Sequence, residues 1–101
     1  EVSTLNAMVL LAQNGDRDPA LPLTIGGGDE LSLFSLNQSA EMLPVDLRRA
    51  VTVTEEENPP YVFSNATYAK IYGEQPGEGY RALLSIESYG NTLCTVYERL
   101  E

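Results

Sequence analysis

Residues 80–100, YRALLSIESYGNTLCTVYERL, consist of two alternating runs joined by a short reversal. In the first run Tyr80, Ala82, Leu84 and Ile86 alternate with Arg81, Leu83, Ser85 and Glu87, the period of a strand with one face in the core. The second run, Leu93 to Tyr97, holds Thr, Val and Tyr, whose shapes suit a pleated surface. Gly90 and Asn91 both accept positive φ at small cost, so a tight turn there would pair the runs antiparallel. A β-hairpin is therefore expected, with Tyr80 in the core.

Upstream, Gly73, Pro76, Gly77 and Gly79 predict a turn over residues 73–79, preceded by a strand from Ala66 to Tyr72. The β-branched run Ala50 to Thr54 predicts a short strand. It is stopped by Asn58-Pro59-Pro60, because two successive prolines remove two backbone donors, and Tyr61 to Ser64 predicts the next strand. Leu21, Leu23 and Ile25 alternate with Pro22 and Thr24, which predicts a strand with Pro22 at a sheet edge. Gly26 to Asp29 then form a loop leading to a strand over Leu31 to Leu36, and Ser39 to Arg49 holds a helical turn that Pro44 interrupts. Val2 to Gln13 supports two readings. Leu5, Met8, Val9 and Ala12 have helical spacing, whereas Val9-Leu10-Leu11 suits a strand, and the β character of the remainder favours the strand. Short strands punctuated by Gly, Pro and Asn at intervals of about 8–12 residues predict one all-β sandwich or barrel, with residues 1–19 as its leading strand and loop.

The order of these segments resembles a bacterial immunoglobulin-like domain of group 2. Four stretches between residues 20 and 100 carry the resemblance: PLTIGGGDELSLFSL as opening strand, glycine turn and next strand; VTVTEEENPPYVFS as central strand, acidic turn and following strand; EQPGEGYRALLSI as the turn before a small-residue-rich strand; and YGNTLCTVYERL as the closing hairpin. Val53 stands where that family often has Trp, and the chain has no Trp. The resemblance implies an immunoglobulin-like β-sandwich of about seven short strands. It also implies a mechanical or adhesive role without chemistry of its own, on a bacterial surface or as a phage virion decoration, tail or fibre protein.

Composition narrows the function classes. The 101 residues are enough for one hydrophobic core, burying roughly 60–70% of the unfolded surface without metal or disulfide staples. Six Lys and Arg against fifteen Asp and Glu give a net charge of −9, which disfavours nucleic acid and anionic lipid as partners. No apolar run approaches the ~18 residues of a membrane helix. Cys94 is the only cysteine and makes no intrachain disulfide, and the absence of histidine excludes His-dependent triads and His zinc sites.

Several motifs compete with plainer readings. GGDEL, residues 27–31, resembles the diguanylate cyclase signature, but only twenty-six residues precede it, so a turn is expected. NGDRDP, residues 14–19, places Asn14, Asp16 and Asp18 at alternate positions, yet it lacks the glycine and bidentate glutamate of a calcium loop and reads as a polar loop. Asn37-Gln38-Ser39 and Asn65-Ala66-Thr67 fit the short N-glycosylation pattern. Tyr68 and Tyr72 would share one strand face and, with the consecutive acids Glu55, Glu56 and Glu57, are the candidate partner-binding residues. No catalytic, cofactor or metal residue is assigned. The expectation is a non-enzymatic structural or adhesive module with protein partners in a larger assembly, self-association included. The alternative is a small acidic inhibitor or immunity protein that blocks a basic partner. A pilin-like α+β subunit is a third reading, and it requires Val2 to Gln13 to be a helix packed on a sheet.

Overall fold

The computed structural model describes residues 2–14, 16–26, 30–65 and 78–100. Val2–Gln13 forms a helix, α1, and not the expected leading strand. Nothing in this run is Gly or Pro and only Val2, Thr4 and Val9 are β-branched, while Leu, Ala, Met and Gln favour helix. Thr4, Ala7, Met8 and Leu11 recur at intervals of three and four and are buried, with Asn6, Leu10 and Gln13 turned outward. Tertiary packing of that stripe decides between two locally acceptable periods.

The second correction falls on residues 31–36. After strand β1 (Thr24–Gly26) the chain forms helix α2 (Glu30–Glu41), so the apolar residues expected to lie along a strand are helical. Leu36 is buried in the core and Ala40, four residues on, packs against it, whereas Phe34, Asn37 and Glu41 are exposed. Pro44 separates α2 from a short helix α3 (Val45–Ala50), as its missing donor predicts. Asp46 in the first turn of α3 and Arg48 and Arg49 in the last complement the helix dipole, and Arg48 Nη2 donates to the Leu43 carbonyl at 3.2 Å.

The remaining strands are β2 (Thr52–Val53), β3 (Tyr61–Asn65), β4 (Tyr80–Ser88) and β5 (Asn91–Arg99). Among the described residues they make one mixed sheet in the order β2-β1-β3-β5-β4. β1 runs parallel to both its neighbours, and β3, β5 and β4 pair antiparallel. The parallel β1–β2 pair explains the correction at residues 31–36. Parallel neighbours need a crossover of a dozen or more residues, which α2 and α3 supply. The domain is thus β-rich but not all-β: among the described residues α1 and α2 pack on one five-stranded sheet and α3 lies against α1, where two facing antiparallel sheets were expected.

Both long helices cover the same sheet face. Ala7, Met8 and Leu11 of α1, Leu36 of α2 and Leu43 share one buried cluster with Ile25, Tyr61, Phe63, Cys94 and Val96. β1 is interior to the sheet, so Pro22 stands just before the strand and not on an edge.

The terminal hairpin forms as expected, with two local differences. Ser88 pairs with Asn91, so the turn is Tyr89-Gly90, with φ of 51° and 81°, and Asn91 begins β5. Positive φ at both central residues is the type I′ geometry that matches strand twist, although a non-glycine residue there costs about 1–2 kcal/mol. A register shift between Ala82 and Leu84 splits the alternating face. Leu84 and Ile86 pair with buried Val96 and Cys94, whereas Tyr80 and Ala82 pair with Arg99 and Tyr97. Tyr80 is accordingly half-buried on the other side, where its hydroxyl donates to the Pro59 carbonyl at 2.5 Å. The strand expected over Ala66–Tyr72 and most of the turn after it lie outside the described residues.

Candidate functional site

The sheet register aligns Val53, Ile25, Tyr61, Glu98 and Arg81 in one row across all five strands. The row passes from apolar to charged, and its charged end is where the segment after α1 meets the sheet. Glu98 is 3% exposed. Arg81 donates from Nε at 3.0 Å and Nη2 at 2.6 Å to Oε1, and the Asp18 N–H donates to Oε2 at 2.8 Å. Both carboxylate oxygens are therefore engaged, so Glu98 joins β4 and the loop before β1 to β5. Charge-assisted bonds of this kind are about twice as strong as neutral ones.

Beside Glu98 the Tyr61 ring is fully buried, and its hydroxyl meets no partner at full hydrogen-bond geometry. Burial pushes the Tyr61 pKa above its ordinary value. The nearby Arg17 guanidinium opposes that shift, and the Glu98 and Asp18 carboxylates reinforce it. Tyr80 is raised as well, by burial against a smaller opposing effect of Arg99. Sequence reasoning missed this cluster. The hairpin itself carried the signal, because Arg81 and Glu98 become directly opposed once the turn is placed at Tyr89-Gly90.

The residues of the calcium-like loop serve local structure. Asn14 Oδ1 accepts the Asp16 N–H at 2.8 Å and Asp18 Oδ1 accepts the Ala20 N–H at 2.9 Å, two side-chain turns that keep the loop close to its own backbone. Among the described residues no three His, Cys, Asp or Glu side chains are grouped to hold a metal. Of GGDEL, Gly27 to Asp29 lie outside the described residues, and Glu30 begins α2. Ser39 of the first glycosylation pattern is fully buried within α2.

The candidate binding residues are only partly placed. Glu55, Glu56 and Glu57 are all exposed on the loop after β2, where Thr54 Oγ1 accepts the Glu56 N–H at 3.1 Å. Tyr68 and Tyr72 lie outside the described residues. The structure adds a different surface, which the terminal hairpin presents. β4 is nine residues long and forms one border of the sheet, so among the described residues its outer backbone edge has no strand partner. Register shifts at Ala82/Leu84 and Ile86/Glu87 twist that edge and interrupt its regularity.

Against this geometry, no family model, curated protein or solved structure matches the chain.

Proposed function

We propose that the chain is a non-enzymatic structural or adhesive module that docks to other proteins through the outer side of its β4–β5 hairpin, as part of a phage particle or a bacterial surface assembly. The observation that carries this reading is the outer edge of β4, nine residues long and without a strand partner among the described residues, which makes it the longer of the sheet's two border strands. An edge of this kind offers a row of donors and acceptors to an added strand. The immunoglobulin-like resemblance contributes only the spacing or display role it implies, since residues 31–36 of its first stretch are helical. α1 packed on the sheet also meets the geometric condition for a pilin-like α+β subunit, which would likewise be an assembly component.

A second reading, an acidic inhibitor or immunity protein, is favoured by one observation: Glu55, Glu56 and Glu57 are exposed together on a single loop of a chain carrying −9. The two readings differ in salt response, since contacts built on carboxylates weaken as salt rises and strand addition does so much less. Size-exclusion chromatography with light scattering across a salt series, on the protein alone and with particles or envelopes from its source, separates them. Salt-resistant co-migration or self-assembly is expected. Salt-sensitive binding to one basic protein would replace the module with the inhibitor, and no association under any condition would sink both.

A further inference from the structure

Tyr89 is 101% exposed, so its ring packs against nothing among the described residues, yet its backbone sits at φ 51°. A bulky L-residue is strained there, whereas Asn or Gly would satisfy the same type I′ turn with little strain. The ring thus carries a backbone cost with no internal contact to offset it. Exposed backbone strain of this sort is a pointer to function, because local stability alone would favour another residue.

The setting suits a contact residue. Two nine-residue strands support the tip, and the Ser88–Asn91 pair closes it, so the ring is held clear of the body of the domain. Tyrosine combines a large contact area with few rotatable bonds, which is why it recurs where interfaces concentrate their affinity. Leu93, two residues into β5, adds a further partly exposed apolar side chain at 37%. Charge restricts the partner. No Lys or Arg occurs between Arg81 and Arg99, Glu87 is exposed beside the turn, and the whole chain carries −9. Anionic lipid and nucleic acid would be repelled, whereas basic side chains would complement the tip.

We propose that Tyr89 is a docking anchor that inserts into an apolar pocket rimmed by basic side chains on a protein partner. The proposal rests on the interaction-module reading above and names its contact residue. The test uses a displayed library of random disulfide-cyclised 12-residue peptides, panned on wild type, Tyr89→Asn and Tyr89→Phe, with thermal melts of all three proteins. Peptides enriched on wild type are expected to combine Arg or Lys with apolar residues. They should bind Tyr89→Asn at least tenfold more weakly and Tyr89→Phe within about threefold of wild type, while Tyr89→Asn melts at or above the wild-type temperature. Enriched peptides that bind Tyr89→Asn as well as wild type would remove the tip and leave the module standing on its β4 edge. A lower melting temperature for Tyr89→Asn would show that the ring has an internal role and overturn the proposal. A selection that enriches no peptide on wild type would count against the anchor and the module together.

Discussion

Two buried polar side chains show how differently single residues are treated in this core. Ser39 is fully buried in α2 and its hydroxyl has no hydrogen-bond partner among the described residues. Removing an unpaired buried hydroxyl relieves a desolvation cost, so Ser39→Ala is expected to be neutral or stabilising by up to about 1 kcal/mol in urea denaturation. A clear loss of stability would mean that the hydroxyl is paired after all. Glu98 is the opposite case, with both oxygens occupied. Glu98→Gln keeps the shape and an acceptor for the Asp18 N–H but ends the charge pairing with Arg81. Because the Arg81 side chain is 51% exposed and can rehydrate, the expected loss is about 1–3 kcal/mol, below that of a fully buried pair. A change under a few tenths of a kcal/mol would reduce the clamp to an ordinary surface contact. Neither burial was legible in the sequence: Ser39 is noticed there only in a glycosylation pattern, and the Glu98 clamp needs Asp18 from the far side of the chain as well as its hairpin partner Arg81.

At the scale of elements, what was legible was local and what was not was long-range. β3, β4 and β5 follow from alternation and turn residues within a few positions, and α3 follows from Pro44. α1 and α2 do not, because Val2–Gln13 carries both helical and strand spacing and the short apolar run Leu31–Leu36 does not by itself show a helical period. The parallel place of β1 between β2 and β3 leaves no mark in any short window. One trace of it remains at Gly26: a Cβ there would sit 2.6 Å from Pro59 Cγ and 3.3 Å from Pro59 Cβ. The prolines expected only to stop a strand are buried, and Pro59 packs directly on the end of β1. Gly26→Ala must push the Pro59 ring aside and is expected to cost about 1–3 kcal/mol, read from the chemical denaturation midpoint. A melting curve indistinguishable from wild type would show that the β1–Pro59 contact yields freely.

The whole molecule is bounded by two electrostatic effects. Tyr61 and Tyr80 have folded pKa values raised above 10.0 by burial, so the folded state holds their protons more tightly than the unfolded chain does. Their contribution to stability is complete below pH ~10 and is lost as pH rises from there through the raised folded values. Stability should therefore fall with pH on the alkaline side, and Tyr61→Phe should flatten that slope; an unchanged slope would assign the fall to other groups. The second effect is self-repulsion in a chain of net charge −9, which favours expansion and is screened by salt. Raising ionic strength from about 0.01 to 0.1 M shortens the screening length from about 30 to 10 Å, enough to weaken repulsion between well-separated exposed carboxylates while affecting the half-buried, directly bonded Glu98–Arg81 pair less. The melting temperature is expected to rise over that range. The triple variant Glu55→Gln, Glu56→Gln, Glu57→Gln should begin from a higher melting temperature at low salt and show a weaker salt response, because it removes adjacent exposed charges from one loop. If the triple variant instead keeps the full salt response, the repulsion is spread over the surface and that loop is no special concentration of charge. The inhibitor reading would then lose the one feature that favours it, and the hairpin edge would remain the better-supported docking element.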